Sequence, residues 1–309
     1  AYRNAVLPGA DACRLINSEG DLLPGLIVDR YGDRLVVQVT TLGMERQLDA
    51  VLAALRELLA PTTIVERADA PVRAHEGLPL RTGFLHGADA AVTCRVGRAR
   101  FALDLLDPHK TGFYLDQQAN YALVAAHVRP GDRVLDTFCH LGGFAIHAAL
   151  AGATSVLAVD SAAASIERAQ AAAQLSGAGG IEFRCANAFD VLKAEQSSGA
   201  RYDLIILDPP TFTRARDAVP GALRGYKELH LRALQMLPAG GRLATFSCSH
   251  HIGAELFLQS VLDAATDAKL TIRREAILAA SPDHPVLPQI PETEYLKGFV
   301  FTVLETARK

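Results

Sequence analysis

The sequence has no C-x-x-C pair and no even set of cysteines. Its five (Cys13, Cys94, Cys139, Cys185 and Cys248) are scattered along 309 residues. That pattern argues against a disulfide framework or a structural zinc site and fits a reducing cytoplasm. No apolar run approaches the roughly 20 residues that a membrane span needs. The start shows no secretory pattern, and it opens at Ala1 without Met, which admits a longer gene product. An excess of basic residues is missing too: 31 Lys and Arg face 34 Asp and Glu, for a net charge of −3. A nucleic-acid substrate would therefore have to be held by a local basic surface or another domain. Internal repeats and low-complexity tracts are absent. What remains is an ordinary globular composition, half hydrophobic and about a fifth charged, long enough for two domains or one large one.

Two segments differ in character. Residues 1–88 read as a small α/β module. Within it "GLIVDR" and "RLVVQVT" are strand-like, a helix carries Met44, Leu48, Val51, Leu52, Leu55, Leu58 and Leu59 at three-and-four spacing, and "TIVERAD" is a further strand. Gly83 to Asp89 is the expected boundary. Over 89–309 the rhythm becomes strand–helix alternation, with strands expected at 133–138, 155–160, 181–186, 203–208 and 242–248. That alternation predicts a mostly parallel, doubly wound α/β sheet. The proline-punctuated stretch 280–294 reads as irregular, before a last strand at 298–304.

Ligands of such sheets bind outside the carboxyl ends of the strands, where strand order reverses. The first strand runs into "VLDTFCHLGGFAIHAA", with Asp136 at its end and Gly142-Gly143 opening a helix. Glycine lets a ligand approach the backbone, and the helix start offers free N–H groups. The dinucleotide fingerprint G-x-G-x-x-G is missing, because Phe138 and His140 stand where early glycines should be. A ligand without phosphate fits better than a pyrophosphate. Asp160 ends the second strand, where it can bond ribose hydroxyls or cap the following helix. Asn187 follows the third, where it can meet an adenine edge or cap "NAFDVLKA". With "LDPP" after the fourth strand, this layout resembles the class I S-adenosylmethionine-dependent methyltransferases, whose cofactor carries a ribose and an adenine but no phosphate.

"IILDPPTF" (205–212) closes the fourth strand, with Asp208 at its tip and Pro209-Pro210 stiffening the next loop. A rigid loop there can hold a planar base and offer a carboxylate to its edge. The atom to be methylated is decided elsewhere. A pyrimidine C5 is a poor nucleophile until something adds at C6, and a thiolate can do that. Cys248, in "ATFSCSHH" (244–251), ends the fifth strand and should lie across the pocket from Asp208. A free cysteine is more often a small core hydrophobe, and Cys13, Cys94 and Cys185 read that way. The flanking Ser247 and Ser249 argue against plain core for Cys248. His250 and His251 lack an acid at metal-ligand spacing, so no metal is expected.

The motifs "KTGFYLDQQ", "DTFCHLGGF", "VDSA", "LDPPTF", "RGYKELH", "FSCS", "PDHPV" and "YLKGF" follow in order. Together they make the chain similar to the bacterial cytosine-5 methyltransferases of large-subunit ribosomal RNA. The resemblance implies a Rossmann-like class I methyltransferase domain over 89–309, with the module at 1–88 lining an RNA cleft. It implies Cys248 as nucleophile and Asp208 as its base-binding partner. It implies S-adenosylmethionine contacts from Lys110, Tyr114, Asp116, Gln117, Asp136, Phe138, Gly142, Asp160, Ser161, Asn187 and Asp208. Pro209, Pro210, Arg224 and Lys227 would meet the substrate, the last two within a basic cluster at 211–232 that also holds Arg214, Arg216 and Arg232. Three departures stand out: relatives begin with a small RNA-binding β domain, Gln118 replaces an arginine, and Asn187 replaces an acid.

The expected function is therefore formation of 5-methylcytosine in 23S ribosomal RNA, in the cytoplasm, through a covalent cysteine–C6 adduct. The partners would be large-subunit ribosomal RNA and, for the assembly, a second copy of the chain, with no membrane. The competing readings are methylation of a base nitrogen with Cys248 idle, and a catalytically silent RNA-binding homologue.

Overall fold

The computed structural model describes residues 1–107, 113–213 and 215–304. The chain forms two compact units. The first comprises Ala1–Val96, Arg100–Gln118 and Ser281–Thr293, so it takes in more chain than residues 1–88. The second comprises Gly97–Ala99, Ala119–Ala280 and Glu294–Lys309.

In the first unit a short helix α1 (Tyr2–Val6) precedes β1 (Ala12–Asn17), β2 (Leu26–Tyr31) and β3 (Arg34–Val39). Then come α2 (Leu42–Glu45), α3 (Leu48–Leu59), β4 (Thr63–Ala68) and β5 (Arg81–His86), and a two-stranded ribbon of β6 (Ala91–Val96) and β7 (Ala99–Asp104). The sheet runs β1-β2-β3-β4-β5, with only β3 and β4 parallel. The expected helix from Met44 is broken at Gln47. Leu48, Leu52 and Leu55 are buried with Val28, Val37 and Ile64, Met44 and Val51 pack on this core partly buried, and Leu58 and Leu59 face solvent. The apolar stripe is thus narrower than its spacing suggests, because one sheet face covers only one side of a helix.

Ser281–Thr293 is irregular apart from one 3₁₀ turn, and its Asp283 is a buried hub of this unit. Asp283 accepts the Arg14 amide at 2.8 Å and the Gln118 side-chain amide at 2.8 Å, and it pairs with His284 at 3.0 Å. Gln118, the departure noted in the sequence, is thereby satisfied without a charge.

The second unit begins with α4 (Gln118–Ala125), whose first residue still belongs to the first. It continues through β8 (Arg133–Asp136), α5 (Gly143–Leu150), β9 (Ser155–Asp160), α6 (Ala163–Ser176), β10 (Ile181–Cys185) and α7 (Ala188–Ser197). After these come β11 (Leu204–Leu207), α8 (Val219–Met236), β12 (Arg242–Ser247), α9 (Ala254–Asp267), β13 (Ile272–Ala279) and β14 (Lys297–Val303). Among the described residues they build one seven-stranded sheet in the order β10-β9-β8-β11-β12-β14-β13. The five strands from β10 to β12 are mutually parallel. β14 enters antiparallel between β12 and β13. The order reverses between β8 and β11, so the carboxyl ends of these two strands flank the switch point where such sheets take their ligands. Leu135, Ile205, Leu207, Tyr226, Leu229 and Phe257 centre the core on one face of the sheet.

Candidate active site

Asp136 ends β8 with its carboxylate fully buried. Its Oδ2 accepts the Ala145 amide at 3.1 Å, in the first turn of α5, while Oδ1 has no hydrogen-bond partner among the described residues. Burial drives its pKa up to about 8, the negative charge of Asp208 adds to the rise, and Asp160 contributes further. Three carboxylates at neighbouring strand ends, one holding a buried orphan oxygen, favour a cationic ligand. S-adenosylmethionine, with a sulfonium and an ammonium, suits that donor set.

The turn into α5 is left-handed at His140 (φ 48°) and Gly142 (φ 79°). A Cβ at Gly142 would press on Ala169 and Ile146 at 3.3 Å, so glycine is required for both conformation and space. Asp160 ties this turn to β9: the His140 amide donates to Oδ2 and the Ala162 amide to Oδ1, each at 2.9 Å. A carboxylate has about four acceptor sites, so turn-building and ribose binding are compatible. Phe138 is half-buried and Ser161 exposed, on either side of this turn. Asn187 is the cap of α7, its Oδ1 accepting Phe189 at 2.9 Å and Asp190 at 3.4 Å. Only its side-chain NH₂ is left for an adenine.

Tyr114, Asp116 and Gln117 lie in the first unit, where Asp116 accepts the Ser281 amide through its carbonyl at 2.7 Å. Lys110 and Arg214 lie outside the described residues.

β11 and β12 are adjacent and parallel, with Leu207 opposite Thr245 at the end of the ladder. Asp208 and Cys248 therefore leave neighbouring strands at the same end. Successive side chains of a strand point to opposite faces, and β12 uses both. Thr245 bonds His230 of α8 at 2.9 Å, and the Tyr226 hydroxyl of α8 meets Ser247 at 2.9 Å and Ser249 at 3.3 Å. Phe246, on the other face, stacks near Phe144 of α5. Cys248 follows the Phe246 side, half-buried, with its Sγ 3.1 Å from Thr211 Oγ1 of the D-P-P-T loop. Pro209 is buried and Pro210 exposed in that loop.

The other cysteines differ in environment. Cys13, Cys94 and Cys139 are buried, and burial raises the pKa of all three thiols. Cys185 is exposed at the end of β10 and is not the core residue expected. Its strand has one open side, since β10 is the edge of the sheet. Arg224 and Lys227 sit on the face of α8 turned away from Tyr226 and β12, lining an open surface cavity with Gln196, Leu231 and Arg232. Lys227 pairs with Asp267 at 2.7 Å and Arg232 with Glu228 at 2.9 Å, so much of this charge is compensated.

Two residues near Cys248 had no expected role: Tyr226, in "RGYKELH", and Lys297, in "YLKGF". Their only sequence signal was membership of motifs in which no role fell on these two positions.

Residues 37–301 match the S-adenosylmethionine-dependent methyltransferase family. The chain belongs to that family. It is 39% identical to ribosomal RNA large subunit methyltransferase I of Aeromonas hydrophila, covering 94% of this chain and 75% of that protein. The Tolumonas auensis protein of the same name is 38% identical, over 94% of this chain and 74% of its own length. Among solved structures, a candidate SAM-dependent methyltransferase from Streptococcus mutans superposes with a TM-score of 0.83 at 22% identity, covering 97% of this chain and 78% of that one. A candidate methyltransferase complexed with SAH gives 0.82 at 23% identity, over 95% of this chain and 76% of its own. The enzyme is thus an S-adenosylmethionine-dependent methyltransferase with a Rossmann-like sheet.

Proposed function

We propose that this methyltransferase forms 5-methylcytosine in large-subunit ribosomal RNA, with Cys248 as the nucleophile. The observation that carries the reading is the position of Cys248: one residue past β12, beside the D-P-P-T loop of the adjacent β11, with Thr211 Oγ1 at 3.1 Å from its sulfur. The names of the relatives support an RNA of the large subunit as substrate.

S-adenosylmethionine supplies an electrophilic methyl group when bound. Asp136, Gly142, Asp160 and Asn187 would hold it at the ends of β8, β9 and β10, with Phe138 and Ser161 beside them and Lys110, Tyr114, Asp116 and Gln117 completing the set. The Cys248 thiolate adds to C6 of the cytosine, which makes the ring an enamine nucleophilic at C5. Asp208 bonds the N3/N4 edge and stabilises the charge that develops as sulfur adds. The loop of Pro209 and Pro210 keeps that carboxylate and the base in register. After C5 has taken the methyl group, a base removes the C5 proton, the ring regains its double bond, and the thiolate leaves. The target must come out of its stack to reach the sulfur, so a single-stranded or loop cytosine is expected. The first unit lines the RNA cleft, and Arg224 and Lys227 contact backbone phosphate.

The test uses ribosomal RNA carrying 5-fluorocytosine and labelled S-adenosylmethionine. Fluorine cannot leave as the proton does, so the adduct should be trapped covalently by the wild type and be missing with Cys248→Ala. Normal methylation of ordinary RNA by Cys248→Ala would sink the reading in favour of a nitrogen target.

A further inference from the structure

A cysteine is a nucleophile only as its thiolate, and an ordinary thiol, with a pKa near 8.5, is only a few per cent ionised at pH 7. Cys248 therefore needs something to hold its negative charge. The carboxylate Asp208, on the adjacent strand end, opposes that charge, and so would an ionised Tyr226. His250 and His251 follow in the chain as exposed residues, with His250 stacked on the Tyr295 ring.

Among the described residues, the fold brings the Lys297 ammonium to the right place. β14 enters the sheet beside β12 with Lys297 paired to Ser247, the residue before Cys248. The Lys297 side chain donates to the Ser249 carbonyl at 2.6 Å and to the Tyr295 carbonyl at 2.9 Å. Its ammonium is thus fixed against the residue after the cysteine, while the Lys297 backbone pairs with the residue before it. The Tyr226 hydroxyl holds Ser247 and Ser249 from the opposite face, which anchors the strand end that carries the sulfur. On the sulfur itself, the Thr211 hydroxyl lies at 3.1 Å.

We propose that Lys297 and Thr211 hold Cys248 as a thiolate, the ammonium supplying the counter-charge and the hydroxyl a hydrogen bond to sulfur. The inference rests on the reading of Cys248 as the nucleophile. Lys297 acts through Cys248 and is a positioning residue, whereas Thr211 touches the reacting atom. The ionisation balances simply: the S–H proton passes to solvent, and the thiolate stays as the partner of the ammonium. Electrostatics agree with the geometry. Burial lowers the Lys297 pKa, and the negative charges of Cys248 and Glu294 work in the opposite sense. The same arrangement serves both ends of the reaction, because a sulfur with a stabilised anion is also a better leaving group.

The experiment measures alkylation of Cys248 by iodoacetamide against pH in the intact chain, each site followed by peptide mass spectrometry. The exposed Cys185 is the internal reference. The wild-type profile should place the Cys248 pKa below the ordinary value of about 8.5. A value at or above it overturns the proposal without any variant. Removing an adjacent opposite charge shifts a pKa by about one unit or more. Lys297→Met should therefore alkylate about tenfold more slowly at pH 7 relative to Cys185, and Lys297→Arg should restore most of the rate. A Lys297→Met profile equal to wild type defeats the role of the ammonium, and an unchanged Thr211→Val profile defeats that of the hydroxyl. A lysine that only caps two carbonyls would change thermal stability and leave the thiol pKa alone. Methylation by Cys248→Ala is scored separately. If that variant methylates normally the nucleophile reading fails, whereas a failure of the thiolate shows only in the alkylation profiles.

Discussion

Asp136 is the residue whose chemistry departs furthest from that of a solvated carboxylate. With its pKa at about 8, it is largely protonated in the free protein at neutral pH. A folded-state pKa above the unfolded one contributes stability at acidic pH, and that contribution is lost as pH rises through 8. A cationic ligand reverses the preference by stabilising the ionised form. S-adenosylmethionine should then bind with proton release below pH 8, its affinity rising with pH by up to about tenfold per unit and levelling near pH 8. Calorimetry in buffers of different ionisation enthalpy measures that release. Asp136→Asn should flatten the slope. A pH-independent affinity in the wild type would contradict this coupling.

At the scale of elements, the pairing of α8 with β12 anchors the strand end that carries the sulfur. Tyr226 is fully buried, and its hydroxyl serves both serines that flank Cys248. Tyr226→Phe should cost about 1–3 kcal/mol, the price of leaving buried hydroxyls unmet, read as a lower denaturant midpoint with an unchanged slope. Alkylation of Cys248 should become less uniform in the same variant. Much of this arrangement was legible beforehand. The parallel strands β8, β9, β11 and β12 are short, largely apolar runs that end at or next to Asp136, Asp160, Asp208 and Cys248, and consecutive parallel strands place β11 beside β12. The neighbours of Cys248 were not legible for a topological reason. β14 comes from the far end of the chain and inserts antiparallel between β12 and β13, a choice that no local pattern announces. β13 itself, "IRREAILA", is mostly exposed at the sheet edge and lacks the apolar run that marks a buried strand. Asn187 and Asp160 show the converse. The capping and turn roles their sequence also allowed are the ones filled by hydrogen bonds within the chain.

Across the whole molecule, the two units share the chain by interleaving it, since Ser281–Thr293 returns to the first after most of the second has been traced. Asp283 is the anchor of that return. Burial raises its pKa, but the hydrogen bond and charge of His284 and the Arg14 amide outweigh this and leave it below the usual carboxylate value. A depressed folded pKa means a contribution present above the unfolded value and lost as pH falls through the folded one, so this anchor weakens only below about pH 4. Asp283→Ala strips acceptors from the Arg14 amide and the Gln118 side chain, and should lower stability by about 2–4 kcal/mol. Thermal unfolding at neutral pH checks this, and a midpoint within a degree of wild type would count against it.

The same return has a consequence for synthesis. A ribosome delivers residues in order, and the first unit cannot satisfy Arg14 and Gln118 until Asp283 has left the exit tunnel. Strands β8 to β12 are all made before that point. The N-terminal segment must therefore wait, partly assembled, while strands β8 to β12 are already free to pair, and β14, made later still, completes their sheet beside Cys248. Neither unit can be finished until the last part of the chain has been made.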